Sequence, residues 1–196
     1  MSPEALQDDP RMRRISELEQ QIVRELIDAQ PAGAVVVDAP CGNGRMSRWA
    51  SRRGDLKLVL VDRSPDMLDA LKIRNDARLL QKRVQADVMQ LPLADKSVDL
   101  MINIRLMHHM PDTPARIRLG CELARVTRGT LVTSYWSTHA WRVWRRRLRG
   151  KRLRSHPISP REFEAICQES GLQVERIIPV HRWYEEQCMV ICKPAG

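Results

Sequence analysis

The chain has 196 residues, of which 43% are hydrophobic and 29% charged, the composition of one globular domain that is too short for two full-sized ones. No apolar run approaches the roughly 18 residues of a membrane-spanning helix, and the N-terminus lacks the apolar stretch of a signal peptide. The five cysteines include no CxxC pair, so we expect reduced thiols in a cytoplasmic protein and no metal site. The net charge of +9 is concentrated in residues 141–154, which contain seven Arg, one Lys and no acidic residue.

Strand and helix patterns alternate along the chain. Apolar residues at helical spacing predict a first helix over residues 13–29. Short apolar runs bounded by turn residues predict strands at residues 34–39, 56–62, 83–87, 97–105, 129–136, 172–180 and 186–193. Helices are predicted between them, with start signals at Ser64-Pro65, at Thr113-Pro114, and at a capping box of Ser159 and Glu162. This alternation indicates an α/β fold around a mostly parallel sheet.

The turn after the first strand contains two glycines, Gly42 and Gly44, and leads into a helical stretch through Met46 and Trp49. It matches only the first two glycines of the dinucleotide-binding pattern G-x-G-x-x-G, so by itself it does not identify a ligand. Asp62 lies at the end of the next strand, eighteen residues beyond Gly44. A carboxylate there suits a ribose, because it accepts hydrogen bonds from both neighbouring hydroxyls.

Three aspartates end three successive predicted strands: Asp38, Asp62 and Asp87. Ligands of parallel sheets bind at the carboxyl ends of the strands, so we expect these acids to face one crevice rather than only to cap their own turns. Asp38 distinguishes two cofactors that both contain a ribose. A pyrophosphate at a helix N-terminus is repelled by a carboxylate, whereas the ammonium and sulfonium of S-adenosylmethionine are attracted to one. The charge pattern therefore favours S-adenosylmethionine over NAD.

The segments VVVDAPCGNGRM, LVLVDRSPDML, VQADVMQLPLADKSVDLMINIRLMHHM and SPREFEAICQESGL resemble class I S-adenosylmethionine-dependent methyltransferases. The similarity is closest to the methyltransferase type 11 branch, which contains quinone-biosynthesis and many small-molecule methyltransferases, and it covers roughly residues 33–193. It implies a Rossmann-like, seven-stranded, mostly parallel sheet with helices on both faces and an antiparallel last strand. We predict a helical extension at residues 1–32 and a methyltransferase domain at residues 33–196, with a basic lid inserted at residues 137–158.

The resemblance also implies which residues bind the cofactor. The family's glycine motif D-x-G-x-G-x-G corresponds to residues 38–44, with Pro40 in place of the first glycine. Asp62 then takes the ribose and Asp87 the adenine amino group, while Arg63 and Met67 lie beside the adenosine. The full predicted set is Asp38, Ala39, Pro40, Gly42, Gly44, Asp62, Arg63, Met67, Asp87, Val88 and Asn103.

Methyl transfer requires the nucleophile, the methyl carbon and the sulfur in line about 3 Å apart, and a general base only if the acceptor must lose a proton. His108 and His109 follow the fourth strand and are the candidate bases, although a short helix with one histidine packed is the alternative. Arg105 is the third candidate catalytic residue. Its guanidinium suits a carboxylate or phosphate of the acceptor, and the alternative is a salt bridge to Asp112 or another local acid.

The acceptor side is predicted after the fifth strand. Tyr135, Trp136 and His139 lie there, either lining an acceptor pocket or packing in the core. Residues 141–154, with the sequence WRVWRRRLRGKRLR, place two tryptophans beside many arginines. This composition suits an anionic membrane surface, a nucleic-acid backbone, an acidic small acceptor, or a solvated basic lid.

We predict a methyltransferase for a small or lipophilic acceptor, with peripheral binding of residues 141–154 to the inner membrane face. The alternatives are an RNA methyltransferase that uses the same residues as its nucleic-acid footprint, and a non-catalytic module that binds the cofactor. Residues 1–30 either close the cleft or form a dimer contact, and the sequence does not decide between them.

Overall fold

The computed structural model of the chain describes residues 10–73, 83–138, 156–180 and 187–195. The predictions for His139 and for residues 141–154 lie outside these ranges. The strands are β1 Val35–Asp38, β2 Lys57–Asp62, β3 Arg83–Gln85, β4 Val98–Asn103, β5 Thr127–Trp136, β6 Leu172–Pro179 and β7 Gln187–Pro194. The helices are α1 Pro10–Asp28, α2 Arg48–Arg52, α3 Pro65–Ile73, α4 Thr113–Val126 and α5 Pro160–Glu169, and a 3-10 turn covers Met107–His109.

Within the described ranges, seven strands form one sheet in the order β3-β2-β1-β4-β5-β7-β6. The central pairs are parallel, with Val37 of β1 opposite Val59 of β2 on one side and Met101 of β4 on the other. β7 is antiparallel to both β5 and β6. The predicted mostly parallel sheet with an antiparallel last strand is confirmed.

The two faces of the sheet are covered by different halves of the chain. Neighbouring residues of β1 point to opposite faces, so Val36 and Val37 belong to separate hydrophobic clusters. The Val36 cluster includes residues of α1, α2 and α3, whereas the Val37 cluster includes residues of α4 and α5. In the parts of the chain that are described, no helix has both the length and the apolar character to cross a membrane.

Helix starts follow the predicted capping chemistry with one change. Asp112 caps α4 by accepting from the Ala115 N–H at 2.8 Å, and Ser159 caps α5 by accepting from the Glu162 N–H at 3.1 Å. The predicted capping box is only half formed, because the Glu162 carboxylate instead accepts from Arg116 at 2.9 Å and from Thr113 at 3.1 Å. An ion pair between two helices has replaced the return bond to the cap.

Strand ends differ from their predicted positions by at most two residues. Two differences concern the site. β3 ends at Gln85, so Asp87 lies two residues past the strand rather than at its end. The helix after the glycine turn begins at Arg48 and leaves Met46 in the turn, because Gly44 has a left-handed φ of 73°. Ser47 precedes this helix, and its hydroxyl donates to Asp38 instead of to the helix N-terminus.

Candidate functional site

A cavity of about 230 Å³ lies at the carboxyl ends of the central strands. Strand order reverses between β1 and β4, so the chain leaves these neighbours in opposite directions and a crevice remains between them. The lining residues are Asp38, Pro40, Cys41, Gly42, Asn43, Arg45, Met46, Asp62, Ile104 and Arg105. The structure therefore brings together four of the predicted cofactor residues and one of the predicted catalytic residues.

The glycine turn shapes one wall of this cavity. Gly42 and Gly44 have φ angles of 50° and 73°, in the left-handed region that side chains disfavour. A Cβ added to Gly42 would meet no atom within 4 Å, so the backbone here faces open space that a ligand can approach closely. The Cys41 N–H donates to the Val61 carbonyl at 2.8 Å and ties the turn to β2.

Asp62 joins the turn to the next strand end. Its side chain is buried, and its two oxygens accept from the Gly42 N–H at 2.8 Å and from the Ser64 N–H at 2.9 Å. A carboxylate has about four lone-pair positions, so each oxygen can also accept from a ribose hydroxyl. The geometry fits the ribose-binding role that the resemblance implies.

Asp38 is a buried acid without a full counter-charge. It is 1% exposed, and the Ser47 hydroxyl donates to it. Burial raises its pKa to about 7, although Ser47 and the positive charge of Arg45 act in the opposite direction. A cation placed beside Asp38 would stabilise the charged form of its carboxylate. The Asp38 carboxylate therefore fits the ammonium end of S-adenosylmethionine and does not fit a phosphate.

Asn103 and Ala39 support the crevice from behind. Asn103 is buried, its side-chain amide donates to the Ala39 carbonyl at 2.6 Å, and it accepts from the Thr133 hydroxyl at 3.2 Å. These bonds fix the peptide that precedes Pro40. Both residues were predicted to bind the cofactor, but neither lines the cavity.

Gly44 and the four remaining predicted residues also lie outside the cavity lining. Arg63 and Asp87 form an exposed ion pair with 3.9 Å between their charged atoms, Met67 is exposed, and Val88 is buried. Asp87 also accepts from the Met89 N–H at 2.9 Å, which fixes its own turn. The adenosine-binding roles of these four residues stay predictions.

Arg105 lines the cavity at the end of β4. Its φ of 61° is unusual for a residue with a side chain, and its N–H donates to the Ser134 hydroxyl at 2.8 Å. The guanidinium contacts Glu19 of α1 through two atoms, Nε at 3.0 Å and a terminal nitrogen at 2.9 Å. Its partner is therefore an acid from a distant helix and not Asp112.

Glu19 was missed by the sequence interpretation. It is 0% exposed and also pairs with Arg45 at 3.0 Å, and Gln187 of β7 donates to it. Arg45 and Arg105 both line the cavity, so one carboxylate of α1 connects two of its walls. The position of Glu19 in the sequence could have predicted its burial. It falls four residues from Ile15 and from Val23, on the apolar face of the helix.

The two histidines differ. His108 is 2% exposed, and its ring stacks on Trp136 with 4.1 Å between centroids. Burial lowers the pKa of His108 to about 3, with smaller contributions from His109 and Arg105, so the ring is neutral at physiological pH. His109 is exposed. Tyr135 stacks on Phe163 in the core, at 4.3 Å between centroids, and so has the packing role that was its alternative.

Hydrogen bonds hold the described residues on either side of 139–155 close to His108 and Trp136. The Ile158 N–H donates to the Trp136 carbonyl at 2.7 Å, and the Thr138 N–H donates to the Ile158 carbonyl at 3.0 Å. The His156 N–H donates to the His108 carbonyl at 3.0 Å, and Arg116 donates to the His156 carbonyl at 3.2 Å. Thr138 and His156, the described residues on either side of 139–155, therefore lie on the β4 and β5 side of the crevice.

The methyltransferase domain family matches residues 37–132. The chain is 30% identical over 115 residues to mouse tRNA (carboxymethyluridine(34)-5-O)-methyltransferase ALKBH8, covering 58% of this chain and 16% of that protein. It is 36% identical over 100 residues to methyltransferase GfsG of Streptomyces halstedii (50% and 35% covered), and 33% identical over 96 residues to malonyl-[acyl-carrier protein] O-methyltransferase of Serratia marcescens (49% and 35% covered). The chain thus spans less than half the length of these relatives.

Solved structures show the same fold. Magnesium protoporphyrin IX methyltransferase of Synechocystis PCC 6803, with bound S-adenosylhomocysteine, superposes with a TM-score of 0.75 at 19% identity, covering 94% of this chain and 87% of the other. Geranyl diphosphate C-methyltransferase of Streptomyces coelicolor gives a TM-score of 0.68 at 15% identity, covering 91% and 81%. The matched domain, the shared fold and the charges of the crevice all indicate the same class of enzyme. Residues 37–132 are therefore a methyltransferase domain with the fold of the class I S-adenosylmethionine-dependent methyltransferases, and S-adenosylmethionine is the cofactor of that domain.

Proposed function

We propose that the protein transfers the methyl group of S-adenosylmethionine to a small or lipophilic acceptor whose accepting atom needs no general base. The observation that carries this proposal is His108, which is buried, neutral and stacked on Trp136 where a base was predicted. An imidazole with a pKa of about 3 takes up a proton poorly near neutral pH. The acceptor is then one that is already nucleophilic, and a carboxylate oxygen is the simplest such group.

The cofactor supplies a methyl group that its sulfonium has already activated, so the task of this chain is to bind and orient. Asp62 takes the ribose hydroxyls while the Gly42 and Ser64 N–H groups fix its carboxylate. Asp38 takes the ammonium, and the open backbone at Gly42 allows the ligand to approach the turn. Holding the reactants in line lowers the barrier to this direct displacement by several kcal/mol, of the roughly 7–11 kcal/mol available to ideal orientation. The acceptor–methyl bond forms as the sulfur–methyl bond breaks, and no covalent enzyme intermediate is needed.

The relatives support this class of acceptor. Malonyl and carboxymethyl groups, which occur in the names of two relatives, both contain a carboxylate. Porphyrin and geranyl diphosphate, which occur in the names of two structural neighbours, are lipophilic. Trp136, which is half-buried and stacks on the buried ring of His108, is the candidate for an uncharged aromatic contact with the acceptor. Arg105, whose charge Glu19 already offsets, stays a candidate for orienting the acceptor. The exposed His109 is the alternative base only if the acceptor must lose a proton.

The acceptor is proposed to be delivered from an anionic membrane surface by residues 141–154. Hydrogen bonds hold the described residues on either side of this segment close to His108 and Trp136, which supports the proposal that the segment is a lid. Tryptophan rings favour the headgroup region, and each arginine near an anionic leaflet contributes about 1 kcal/mol. The location proposed for the protein is therefore peripheral, at the cytoplasmic face of a membrane.

An RNA acceptor is the second candidate, because one relative is named as a tRNA methyltransferase. The same arginines would then contact phosphates, and binding would weaken steeply with salt. Salt alone does not separate the two candidates, since both partners are polyanions.

The test uses S-adenosylmethionine with a radioactive methyl group, incubated with a lipid extract or with total tRNA. We expect label in the organic phase, released as methanol by mild alkali, because a methyl ester on a carboxylate hydrolyses readily. Label resistant to alkali would reject the carboxylate, and label precipitating with tRNA would reject the lipophilic acceptor. A variant with Arg145, Arg146 and Arg147 changed to Gln is expected to lose sedimentation with phosphatidylglycerol vesicles, and Arg118→Gln on α4 is the control for the loss of an exposed charge.

A further inference from the structure

Core packing alone does not explain why an acidic residue, Glu19, is buried. It is a fully buried carboxylate on the core-facing side of α1, four residues from Ile15 and from Val23. Replacing a buried ion pair by apolar residues is often neutral or stabilising, so a buried acid at this position calls for another explanation. Its partners provide one, because Arg45 and Arg105 both line the cofactor cavity.

The charges that line the cavity cancel without Glu19. Among the described lining residues, Asp38 and Asp62 are acidic and Arg45 and Arg105 are basic. Glu19 contacts both guanidinium groups within 3.0 Å and adds one negative charge directly behind them. The cavity with its backing residue is therefore net negative by one unit at a pH above the Asp38 pKa of about 7, where all three acids are ionised.

This charge matches the cofactor and not the product. S-adenosylmethionine has an ammonium, a carboxylate and a sulfonium, for a net charge of +1. S-adenosylhomocysteine has lost the sulfonium charge with the methyl group and is neutral overall. The two ligands otherwise offer the same hydrogen-bonding groups, so a charge near the cavity distinguishes them only through the sulfonium.

We propose that Glu19 is a specificity-determining residue that makes the cavity prefer S-adenosylmethionine over S-adenosylhomocysteine. The inference rests on the cavity being the cofactor site. Glu19 acts through Arg45 and Arg105 by offsetting their charge, and it does not touch the reacting atoms. Its consequence in turnover is faster release of the spent product, since the attraction disappears when the methyl group has left.

The experiment measures dissociation constants of both ligands by calorimetry on the wild type and on Glu19→Gln, which keeps the side-chain shape and a hydrogen-bond acceptor. At an effective dielectric constant of about 30 and a separation of about 10 Å, one unit charge changes the affinity for the cationic ligand by about sixfold. We therefore expect the preference for S-adenosylmethionine to fall by about sixfold, with S-adenosylhomocysteine binding nearly unchanged. Glu17→Gln removes the same charge from an exposed position of α1 and should leave both constants unchanged.

Several outcomes would overturn the proposal. Equal weakening of both ligands would show that Glu19 only supports the fold, and tighter binding of both would show that it competes with the ligand carboxylate for the arginines. If Glu19→Gln does not fold, Arg105→Gln takes its place as the test, because it removes one positive charge and should raise the preference. A wild type that binds neither ligand would reject the cavity as the cofactor site, which is a separate failure.

Discussion

The cofactor side and the proposed acceptor side of the crevice contain different kinds of side chain. The cofactor side, at the ends of β1 and β2, consists of buried carboxylates whose oxygens accept from nearby backbone or hydroxyl groups, as Asp62 and Asp38 do. The proposed acceptor side, at the ends of β4 and β5, has the half-buried ring of Trp136 stacked on the buried, neutral ring of His108. We propose that the first side recognises a charged ligand by local bonds and that the second offers the acceptor an uncharged aromatic ring.

This difference has a physical origin. Charged groups in a crevice bind tightly only when their partners are fixed, and short-range backbone bonds fix them well. An aromatic wall is less directional, so it suits acceptors that vary in shape. The contrast predicts that mutations on the two sides affect different measurements.

The largest expected effect is on the cofactor side. Asp62→Ala removes the acceptor for the Gly42 and Ser64 N–H groups and for the ribose. Because each bond to a charged acceptor contributes about 1.5–3 kcal/mol, affinity for both S-adenosylmethionine and S-adenosylhomocysteine should fall by about a hundredfold in calorimetry. Asp66→Ala, which removes an exposed acid from the first turn of α3, should bind as the wild type does. Binding that survives Asp62→Ala would place the ribose elsewhere.

The next effect belongs to the acceptor side and should spare the cofactor. Arg116 is buried and donates to Glu162 at 2.9 Å and to the His156 carbonyl at 3.2 Å. Arg116→Met removes the charged donor from both acceptors, although Glu162 keeps the Thr113 hydroxyl. The free energy of unfolding in urea should therefore fall by about 2 kcal/mol, while calorimetric binding of S-adenosylhomocysteine stays unchanged. Arg118→Met on the exposed face of α4 is the control. Loss of cofactor binding would contradict the separation of the two sides.

The cofactor side was more predictable from the sequence than the acceptor side. Asp38 and Asp62 follow apolar strands and flank a glycine turn, and the carboxyl ends of parallel strands meet at one edge of a sheet. Local pattern and topology therefore place both acids at the cavity. The short strand β3 ends before Asp87, and a three-residue strand leaves too little pattern to fix its end.

The contacts that the sequence did not reveal join distant segments. The Glu19 contact with Arg105 connects residues 86 positions apart, and no periodicity encodes which buried acid meets which arginine. His108 stacks on Trp136 because β4 and β5 are neighbours, which the sequence predicted only as a fold and not as a pair of side chains. A helix pattern shows that Glu19 is buried, but only the packed structure shows what it pairs with.

Asp38 gives a pH-dependent effect on the cofactor side. Its folded pKa is raised by burial to about 7, so its contribution to stability is present below the unfolded value near 4 and is lost as pH rises through about 7. The ligand ammonium favours the ionised acid, so S-adenosylmethionine should bind about tenfold more tightly at pH 8 than at pH 6. Asp38→Asn should bind more weakly and lose this difference, as measured by calorimetry at both pH values. The same pH dependence in Asp38→Asn would assign it to the ligand or to another group.

The smallest effect tests the neutral acceptor wall. The folded pKa of His108 is lowered by burial to about 3, so its contribution to stability is present above the unfolded value near 6.5 and is lost as pH falls toward 3. Between pH 7 and pH 5.5 the wild type should lose about 1 kcal/mol more of its unfolding free energy than His108→Phe, which keeps the stack on Trp136. His109→Phe, at an exposed ring, is the matched control. If both variants lose stability as the wild type does, His108 takes up its proton in the folded state at an ordinary pH. It would then be a competent general base, and the acceptor side would resemble the cofactor side in using charge.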